Sequence, residues 1–344
     1  MNRRLTGALS ALALLALTGT AAAEGELNIY NWGNYTNPDL IKKFEETYKV
    51  KVTVTDYDSN STALTKVKAG GHGFDIVVPS ANYVPIFVQE GLLLETRPDK
   101  MENFKNVDPQ WADVPWDPGR HYTVPWQWGT TGIALNTSIY SGDPNTSAIF
   151  MDPPAELVGK VNVVPEMNDV IGLAIMYVGG EPCTEDKNVL RQVRDKLMAA
   201  KPKWQSMDYG MTEKMSNGDV MASVNWNGST FRVRLKNPKV VYGYPKEGYV
   251  VWMDSVAVLK DAKNVENAKL FQNFIMDPEN AALISAFARY ANGIKGSEKY
   301  MPEDMKTAPE IVVPEKYKAA GKFLPTCSKT ARDLYTAIWT ELRK

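Results

Sequence analysis

The sequence predicts an α/β protein with two lobes, each built on a β-sheet flanked by helices. With 344 residues the chain is longer than one hydrophobic core usually holds, so two lobes are expected. Strand-like apolar runs alternate with helical patterns, which is typical of a parallel, doubly wound sheet. Aromatic and polar residues recur at the strand ends, where sheets of this kind bind ligands. A cleft that takes a small ligand is therefore predicted.

The first residues have the pattern of a secretory signal peptide. A short basic start, Asn2-Arg3-Arg4, precedes an apolar run from Leu5 to Leu17, and Ala21-Ala22-Ala23 forms an Ala-x-Ala cleavage site. We predict a signal peptide over residues 1–23 and export of the mature protein to the periplasm. The residue directly after the cleavage site is Glu24 and not a cysteine, so a lipid anchor is not predicted.

The first lobe is predicted to begin with three strands, each followed by a helix. Pro38 opens the first of these helices, and Gly70-Gly71 ends the second. The segments 32–35 and 80–83 fall where strands end, and both carry aromatic and polar side chains. The predicted order is strand 27–32, helix 39–48, strand 50–56, helix 61–69, strand 74–79 and a helix that ends at residue 90.

The remaining elements predict a second lobe and a return to the first. An aromatic strand over 122–128 is followed by a strand over 130–136 that leaves the first lobe. The later elements are strand 161–165, helices 168–177, 188–200 and 212–218, strand 222–226, strand 250–258, and helices 262–276, 278–287 and 329–342. We predict residues 24–129 plus 254–298 as lobe 1, and residues 130–253 plus 299–344 as lobe 2.

The strand Val250–Val258 carries an acid at its centre. A buried and unpaired carboxylate costs several kcal/mol, so Asp254 needs a cationic partner, hydrogen-bond donors or a wet cavity. Trp252 shares its face on an extended chain. A carboxylate beside an indole suits an ammonium group, because the ring adds a cation–π attraction of about 0.5–2 kcal/mol. The alternative is a core tryptophan next to an acid at a strand kink.

Charge and motifs exclude several function classes. The 39 Lys and Arg residues balance 40 Asp and Glu residues without a block of one sign, which argues against a nucleic-acid partner. The sequence contains no P-loop, no dinucleotide-binding glycine fingerprint, no Gly-x-Ser-x-Gly and no His-Glu-x-x-His. No cofactor and no metal site are predicted. An exported enzyme that uses Asp169 and Asp254 as a carboxylate pair stays open as an alternative.

The two cysteines are predicted to form a disulfide. Cys183 and Cys327 are the only cysteines, and an isolated pair in an exported protein is plausibly bonded. Both lie in proline-containing stretches typical of loops. The alternative is two unrelated buried thiols.

Strand-end aromatic and polar residues form the candidate ligand site. Each of these residues alone is more often core or surface than ligand contact. Together, in an exported two-lobe protein, they suit a cleft that captures a small ligand. The set is Trp32, Tyr35, Ser80, Trp128, Trp226, Ser229, Trp252, Asp254 and Tyr290.

The chain resembles the periplasmic spermidine/putrescine-binding proteins in five segments that keep their order. These segments together are specific, whereas each alone is not. The resemblance covers nearly the whole mature chain. The five segments are Ile29–Tyr35, Gly73–Ser80, Trp128–Gly132, Trp252–Asp254 and Tyr290–Asn292.

The resemblance implies a type II periplasmic binding protein, whose two lobes close over a ligand and deliver it to a membrane ABC permease. It implies that Asp254 holds one amine and that the Asp169 region supplies a further acid, with polar contacts from Tyr35 and Ser80. A monomer is expected. The aromatic box around the ligand's methylene and ammonium groups would be Trp32, Trp226, Trp252 and Tyr290.

Two departures from the family pattern concern the ligand. Asn34 and Ser229 stand where diamine-binding members often carry acids, and each missing acid removes a contact worth about 1.5–3 kcal/mol. Arg232 and Arg234 follow, and a guanidinium that faces the cleft would repel a second ammonium but clamp a carboxylate. A polyamine and an ω-amino acid such as 4-aminobutyrate are therefore both open.

Arg232 is the better candidate for a carboxylate contact. Ser229 is predicted to cap a helix, and Arg232 follows within one turn, whereas Arg234 is rotated away. The alternative for both arginines is a solvated helix face.

Overall fold

The strands of this computed structural model, which describes residues 25–344, form one sheet that runs through both lobes. The predicted signal peptide lies outside the described residues. The strands are β1 (Gly25–Trp32), β2 (Val50–Tyr57), β3 (Ile76–Val77), β4 (Thr123–Asn136), β5 (Val161–Val163), β6 (Ser206–Met207), β7 (Ala222–Trp226), β8 (Val240–Gly243), β9 (Tyr249–Val258) and β10 (Gly321–Phe323).

Helices flank this sheet, and the longest are α7 and α13, of 14 residues each. Within residues 25–344, no helix has both the length and the apolar character needed to cross a membrane. The helices are α1 (Pro38–Tyr48), α2 (Asn60–Lys68), α3 (Val84–Gln89), α4 (Pro109–Ala112), α5 (Ala148–Met151), α6 (Met167–Tyr177), α7 (Lys187–Ala200), α8 (Met211–Asn217), α9 (Asn227–Lys236), α10 (Val265–Ile275), α11 (Pro278–Ala288), α12 (Glu315–Lys318) and α13 (Lys329–Leu342).

The sheet is mixed, so the prediction of a parallel sheet is wrong in part. Its strand order is β2-β1-β3-β9-β4-β7-β5-β6, with β8 beside β4 and β10 beside β9. Parallel pairing holds at both ends, where β1 pairs with β2 and β3, and β5 pairs with β6 and β7. In the middle, β4 and β9 pair antiparallel. The reason is that the chain leaves the first lobe along β4 and returns along β9, in opposite directions.

The two strands predicted over 122–128 and 130–136 are one continuous strand, β4, of 14 residues. Gly129 lies at its middle and pairs with Trp252 of β9. A Cβ at this position would overlap Asn227 and the Trp252 ring, so glycine lets the two crossing strands and the start of α9 come together.

Two hydrophobic cores lie on either side of the region where β4 and β9 connect the lobes. The first packs β1 to β3 with α1, α10 and α11, and it includes Phe44 and Phe271. The second packs β5 and β7 with α6, α7 and α13, and it includes Leu173 and Trp339. Half-buried Trp226 and Trp252 contact both cores. The residue boundaries of the lobes stay a prediction.

Cys183 and Cys327 form a disulfide, which confirms the predicted pair. Cys183 lies in the loop between α6 and α7, and Cys327 lies just before α13. The bond therefore ties the C-terminal helix to the two helices on which it packs in the second core.

We predict that Cys183→Ser with Cys327→Ser lowers the free energy of unfolding by roughly 2–5 kcal/mol, because the unfolded chain regains the entropy of a long open loop. Urea unfolding of the oxidised wild type and the double variant measures this difference. Wild type treated with a reductant serves as control and should match the variant. An unfolding midpoint that is the same in all three samples contradicts the prediction.

Candidate functional site

One cavity between the two cores brings together all ten residues predicted for the ligand site. It lies where the paired strands β4 and β9 run from one lobe to the other, and its wall includes residues from both lobes. The predicted residues in its lining are Trp32, Tyr35, Ser80, Asp169, Trp226, Ser229, Arg232, Trp252, Asp254 and Tyr290. Trp128, which belonged to the candidate set, does not line it and instead packs against Trp111 at 5.7 Å between ring centroids.

Asp254 projects from β9 into this cavity and is 5% exposed. The Ser80 hydroxyl donates to its Oδ1 at 2.6 Å, and the Tyr35 hydroxyl donates to its Oδ2 at 3.0 Å. Burial raises the pKa of Asp254 to about 7, against the effect of these two donors, and the nearby charge of Asp169 adds to the rise. Donors thus hold the carboxylate, and among residues 25–344 it forms no ion pair with a cation.

Two further buried acids come from the start of α6. Thr131 Oγ1 and Trp226 Nε1 each donate to Asp169 Oδ2 at 2.8 Å. The backbone N–H of Asn60 donates to Glu166 Oε2 at 3.1 Å. Burial raises the pKa of both acids, and for Glu166 the charge of Asp169 raises it further. The resemblance implied a further acid in this region, but Glu166 itself was missed.

Four aromatic rings surround the space next to these acids. Trp32 and Trp226 meet edge to face with centroids 6.3 Å apart, and Trp252 and Tyr290 do so at 5.2 Å. Trp32 Nε1 donates to the carbonyl of Val78 at 3.0 Å, which fixes the ring at the end of β1. The Trp226 indole is fixed by its bond to Asp169. The four rings that the resemblance implied therefore line one space, and hydrogen bonds hold the Trp32 and Trp226 indoles in place.

The two arginines have different surroundings. Arg232 lines the cavity, donates to the carbonyl of Ala288 and lies over the Tyr290 ring at 5.8 Å. Arg234 instead forms a two-bonded ion pair with the buried Glu310, at 2.5 and 2.9 Å. The structure thus places Arg232 at the cleft and Arg234 away from it, as the helical period predicted.

The predicted role of Ser229 as a helix cap is wrong. Helix α9 begins at Asn227, and Ser229 lies inside its first turn. The backbone N–H of Ser229 donates to the Tyr290 hydroxyl at 3.2 Å. Gly228 permits this approach, since a Cβ there would lie 2.5 Å from Tyr290 Cδ1 and 2.6 Å from the carbonyl of Arg289.

Several polar residues in the cavity wall were not found from the sequence. Tyr209 donates from its hydroxyl to the Gly33 carbonyl at 2.9 Å. Asn60, at the start of α2, contacts both Ser80 and Glu166. These residues stand in segments without a distinctive pattern, and only the fold brings them to the cleft. The other polar residues missed are Asn82, Asn168 and Thr212.

Hydrogen bonds join the lobes across the cleft on several sides of the cavity. They link Tyr209 to Gly33, Asn60 to Glu166 and Ser229 to Tyr290. The described residues hold no cluster of His, Cys, Asp and Glu that could bind a metal ion. The cavity therefore offers three buried carboxylates, an aromatic box and one guanidinium for binding a small charged ligand.

Comparisons with known proteins agree with this architecture. A sequence profile of bacterial extracellular solute-binding proteins matches residues 39–313. Spermidine/putrescine-binding periplasmic protein 1 of Haemophilus influenzae is 30% identical over 85% of this chain and 82% of that protein. The putrescine-binding periplasmic protein PotF of Escherichia coli is 29% identical over 100% of this chain and 98% of that protein.

Solved structures give the same result. The TpPotD lipoprotein of Treponema pallidum has a TM-score of 0.80 at 26% identity, covering 92% of this chain and 99% of that chain. The two-lobe periplasmic-binding-protein fold of type II is thereby confirmed. Because the family profile spans most of the sequence and a relative at 30% identity covers most of both proteins, this chain belongs to the bacterial extracellular solute-binding proteins.

Proposed function

We propose that this chain is the substrate-binding component of an ABC importer and that it captures a small amine of the polyamine class in the periplasm. It would pass this ligand to a membrane permease without changing it chemically. Support for the class of protein comes from the family profile and from relatives named for spermidine and putrescine binding. The expected leader over residues 1–23 is in keeping with periplasmic export.

One observation carries the ligand class: Asp254, Asp169 and Glu166 are all at least nine-tenths buried around one cavity. Burying like charges together is unfavourable unless a cation enters or protons bind. An alkylammonium group supplies that cation and can donate three hydrogen bonds. We assign Asp254 as its main partner because Ser80 and Tyr35 orient both of its oxygens.

The aromatic box supports the same assignment. Indole and phenol rings pack against methylene groups, and their faces attract a cation by about 0.5–2 kcal/mol. Trp252 and Tyr290 meet edge to face beside Asp254, so an ammonium bound to the acid would lie close to ring surfaces. A short aliphatic amine therefore matches both the buried acids and the aromatic rings of the cavity wall.

A second candidate, an ω-amino acid such as 4-aminobutyrate, is favoured by Arg232. Its guanidinium lines the same cavity as the three acids, and Asn34 and Ser229 provide no negative charge beside it. A ligand with an ammonium at one end and a carboxylate at the other would match acids at one side and Arg232 at the other. A second ammonium near Arg232 would be repelled.

We predict that amine affinity rises with pH through the Asp254 titration. Its pKa of about 7 in the ligand-free protein means that the carboxyl is partly protonated at neutral pH, whereas an ammonium binds the ionised form. Binding should therefore release protons, and affinity should fall as the pH drops below about 7. Calorimetry with putrescine in buffers of different ionisation enthalpy measures both effects. Proton uptake on binding, or affinity that increases towards low pH, contradicts this assignment.

The raised pKa of Asp254 also predicts how the stability of the ligand-free protein depends on pH. The pKa of Asp254 is raised on folding, so its stabilising effect is complete below the ordinary carboxyl pKa of about 4 and is lost as pH rises through about 7. Thermal melts should show this loss, and putrescine should reverse it.

We predict that Asp254→Ala weakens amine binding by roughly 2–4 kcal/mol, because the ammonium loses a charged partner in a desolvated cleft. The control Asp152→Ala removes an exposed carboxylate and should bind like wild type. Calorimetry with putrescine, spermidine and 4-aminobutyrate measures each affinity, and mass spectrometry should recover every ligand unchanged. Wild-type affinity of Asp254→Ala for all three would show that the amine site lies elsewhere, and turnover of a ligand would favour the carboxylate enzyme.

Arg232→Ala separates the two ligand classes. If a carboxylate meets Arg232, this change should abolish 4-aminobutyrate binding and leave or improve putrescine binding, because a positive charge has gone. The control Lys236→Ala removes a charge from the same helix, outside the main cavity, and should alter either affinity by less than about 0.5 kcal/mol. Tight putrescine binding by a wild type that ignores 4-aminobutyrate would end the ω-amino acid proposal.

A further inference from the structure

Asn60 occupies an unusual position among the residues of the cavity wall. It is 3% exposed and opens α2, directly after the helix cap Ser59. Its side chain forms two hydrogen bonds with Ser80, and its backbone N–H bonds to Glu166 on the opposite side of the cleft. Asn60 thereby contacts both Ser80, which is the hydrogen-bond partner of Asp254, and Glu166, which is a second buried acid.

The direction of each hydrogen bond near Asp254 follows from chemistry. The backbone N–H of Ser80 can only donate, so the amide oxygen of Asn60 must face it, at 3.0 Å. The Asn60 Nδ2 group then faces Ser80 Oγ, also at 3.0 Å, and it can only donate. The Ser80 hydroxyl has therefore received a hydrogen bond from Asn60, and its own hydrogen is directed to Asp254 Oδ1 at 2.6 Å.

The hydrogen bonds from Asn60 to Ser80 and from Ser80 to Asp254 form a relay, and this relay affects the ionisation of Asp254. A hydroxyl that always donates favours the ionised form of its carboxyl partner, whereas a hydroxyl free to turn can also accept from the protonated form. The backbone fixes the geometry further, since Ala81 N–H donates to the Met253 carbonyl at 2.7 Å and Ser255 N–H donates to the Pro79 carbonyl at 3.0 Å. Ser80 and Asp254 thus have little freedom to separate.

We propose that Asn60 is a positioning residue of the amine site, which holds the Ser80 hydroxyl as an obligate donor so that Asp254 is presented as a carboxylate. Its backbone contact with Glu166 aligns this relay with the facing lobe. The proposal rests on the function proposed above insofar as Asp254 is the partner of the ammonium. The effect proposed for Asn60 is on the ionisation of Asp254, and it can be measured in the ligand-free protein.

Six other titratable groups lie near Asp254, four tyrosines and two acids. The pKa values of the tyrosines are raised above their ordinary value of about 10, chiefly by burial, so these side chains stay neutral at neutral pH. The two acids change charge in the same pH range as Asp254. The titration of each must therefore be measured separately from that of Asp254. The groups are Tyr35, Tyr57, Tyr209, Tyr290, Glu166 and Asp169.

The first test needs no ligand. The side-chain carboxyl carbon of Asp254, assigned with Asp254→Asn, is titrated by NMR in wild type, Asn60→Ala and the control Ser59→Ala. Asn60→Ala should move the Asp254 midpoint upward by roughly half a pH unit or more, because the hydroxyl is free to turn. Ser59→Ala removes a cap of the same helix and should lower the melting temperature while leaving this midpoint in place. An unchanged midpoint in Asn60→Ala overturns the proposal.

A second test asks whether Asn60 acts through Ser80. In a Ser80→Ala background, Asn60→Ala should add almost nothing to the shift, because the hydroxyl that transmits its effect is absent. Equal shifts with and without the Ser80 hydroxyl would mean that Asn60 has only a general structural role. Should Asn60→Ala fail to fold, Asn60→Asp keeps an acceptor for the Ser80 N–H but removes the donor. Its added charge also raises the midpoint, so only the part of the rise that is lost in a Ser80→Ala background reports the relay, and a rise of equal size in both backgrounds overturns it.

Binding supplies the final readout, with putrescine and 4-aminobutyrate as probes. Asn60→Ala should weaken whichever probe binds wild type by roughly two- to fivefold at neutral pH and by about three- to tenfold at lower pH, for a midpoint rise of about half to one pH unit. If neither probe binds wild type while the Asp254 midpoint still moves, the proposed ligand class is wrong and the relay stands. If wild type binds a probe and Asn60→Ala changes neither its affinity nor the midpoint, the relay is wrong and the ligand class stands.

Discussion

The site depends on the burial of three carboxylates at the place where two strands carry the chain between lobes. Removing a carboxylate from water costs several kcal/mol, and neighbours of like sign increase that cost. Each acid is therefore supplied with donors. Ser80 and Tyr35 serve Asp254, Thr131 and Trp226 serve Asp169, and the Asn60 N–H serves Glu166. Donors without a cation leave the pKa values raised, and the ammonium of the proposed ligand would supply the missing positive charge.

The same constraint explains which parts of the site could be predicted from the sequence. Asp254 was recognisable because an acid in an otherwise apolar strand needs a reason, and Trp252 shares its face. Glu166 gave no such signal, since an acid in a loop before a helix is ordinary. The sequence likewise gave no indication that Asn60 belongs to the site. Its importance comes from hydrogen bonds to residues 20 and 106 positions away in the sequence, which only the tertiary structure defines.

The fold, like the site, could be predicted only in part from the sequence. Strand periodicity located β1, β7 and β9 closely, because their apolar residues alternate or cluster over several positions. Pairing direction could not be predicted in the centre of the sheet, because it depends on how the chain crosses between lobes. Gly129 illustrates the point, because it falls between the two strands predicted over 122–128 and 130–136. In the structure it is the close approach of Trp252 and Asn227 that requires glycine, and β4 continues through it.

Arg232 gives this otherwise acidic cavity a second character. Its guanidinium does not pair with any of the three acids in the described hydrogen-bond network. It is anchored to the Ala288 carbonyl at the end of α11 and lies over Tyr290. Helix C-termini carry partial negative charge, which stabilises a cation there without neutralising it. Three acids and one guanidinium thus line one cleft, where a ligand with an ammonium and a carboxylate would satisfy both kinds of group and a polyamine only the acids. The two proposed ligand classes therefore differ at this wall in the charge that each places next to Arg232.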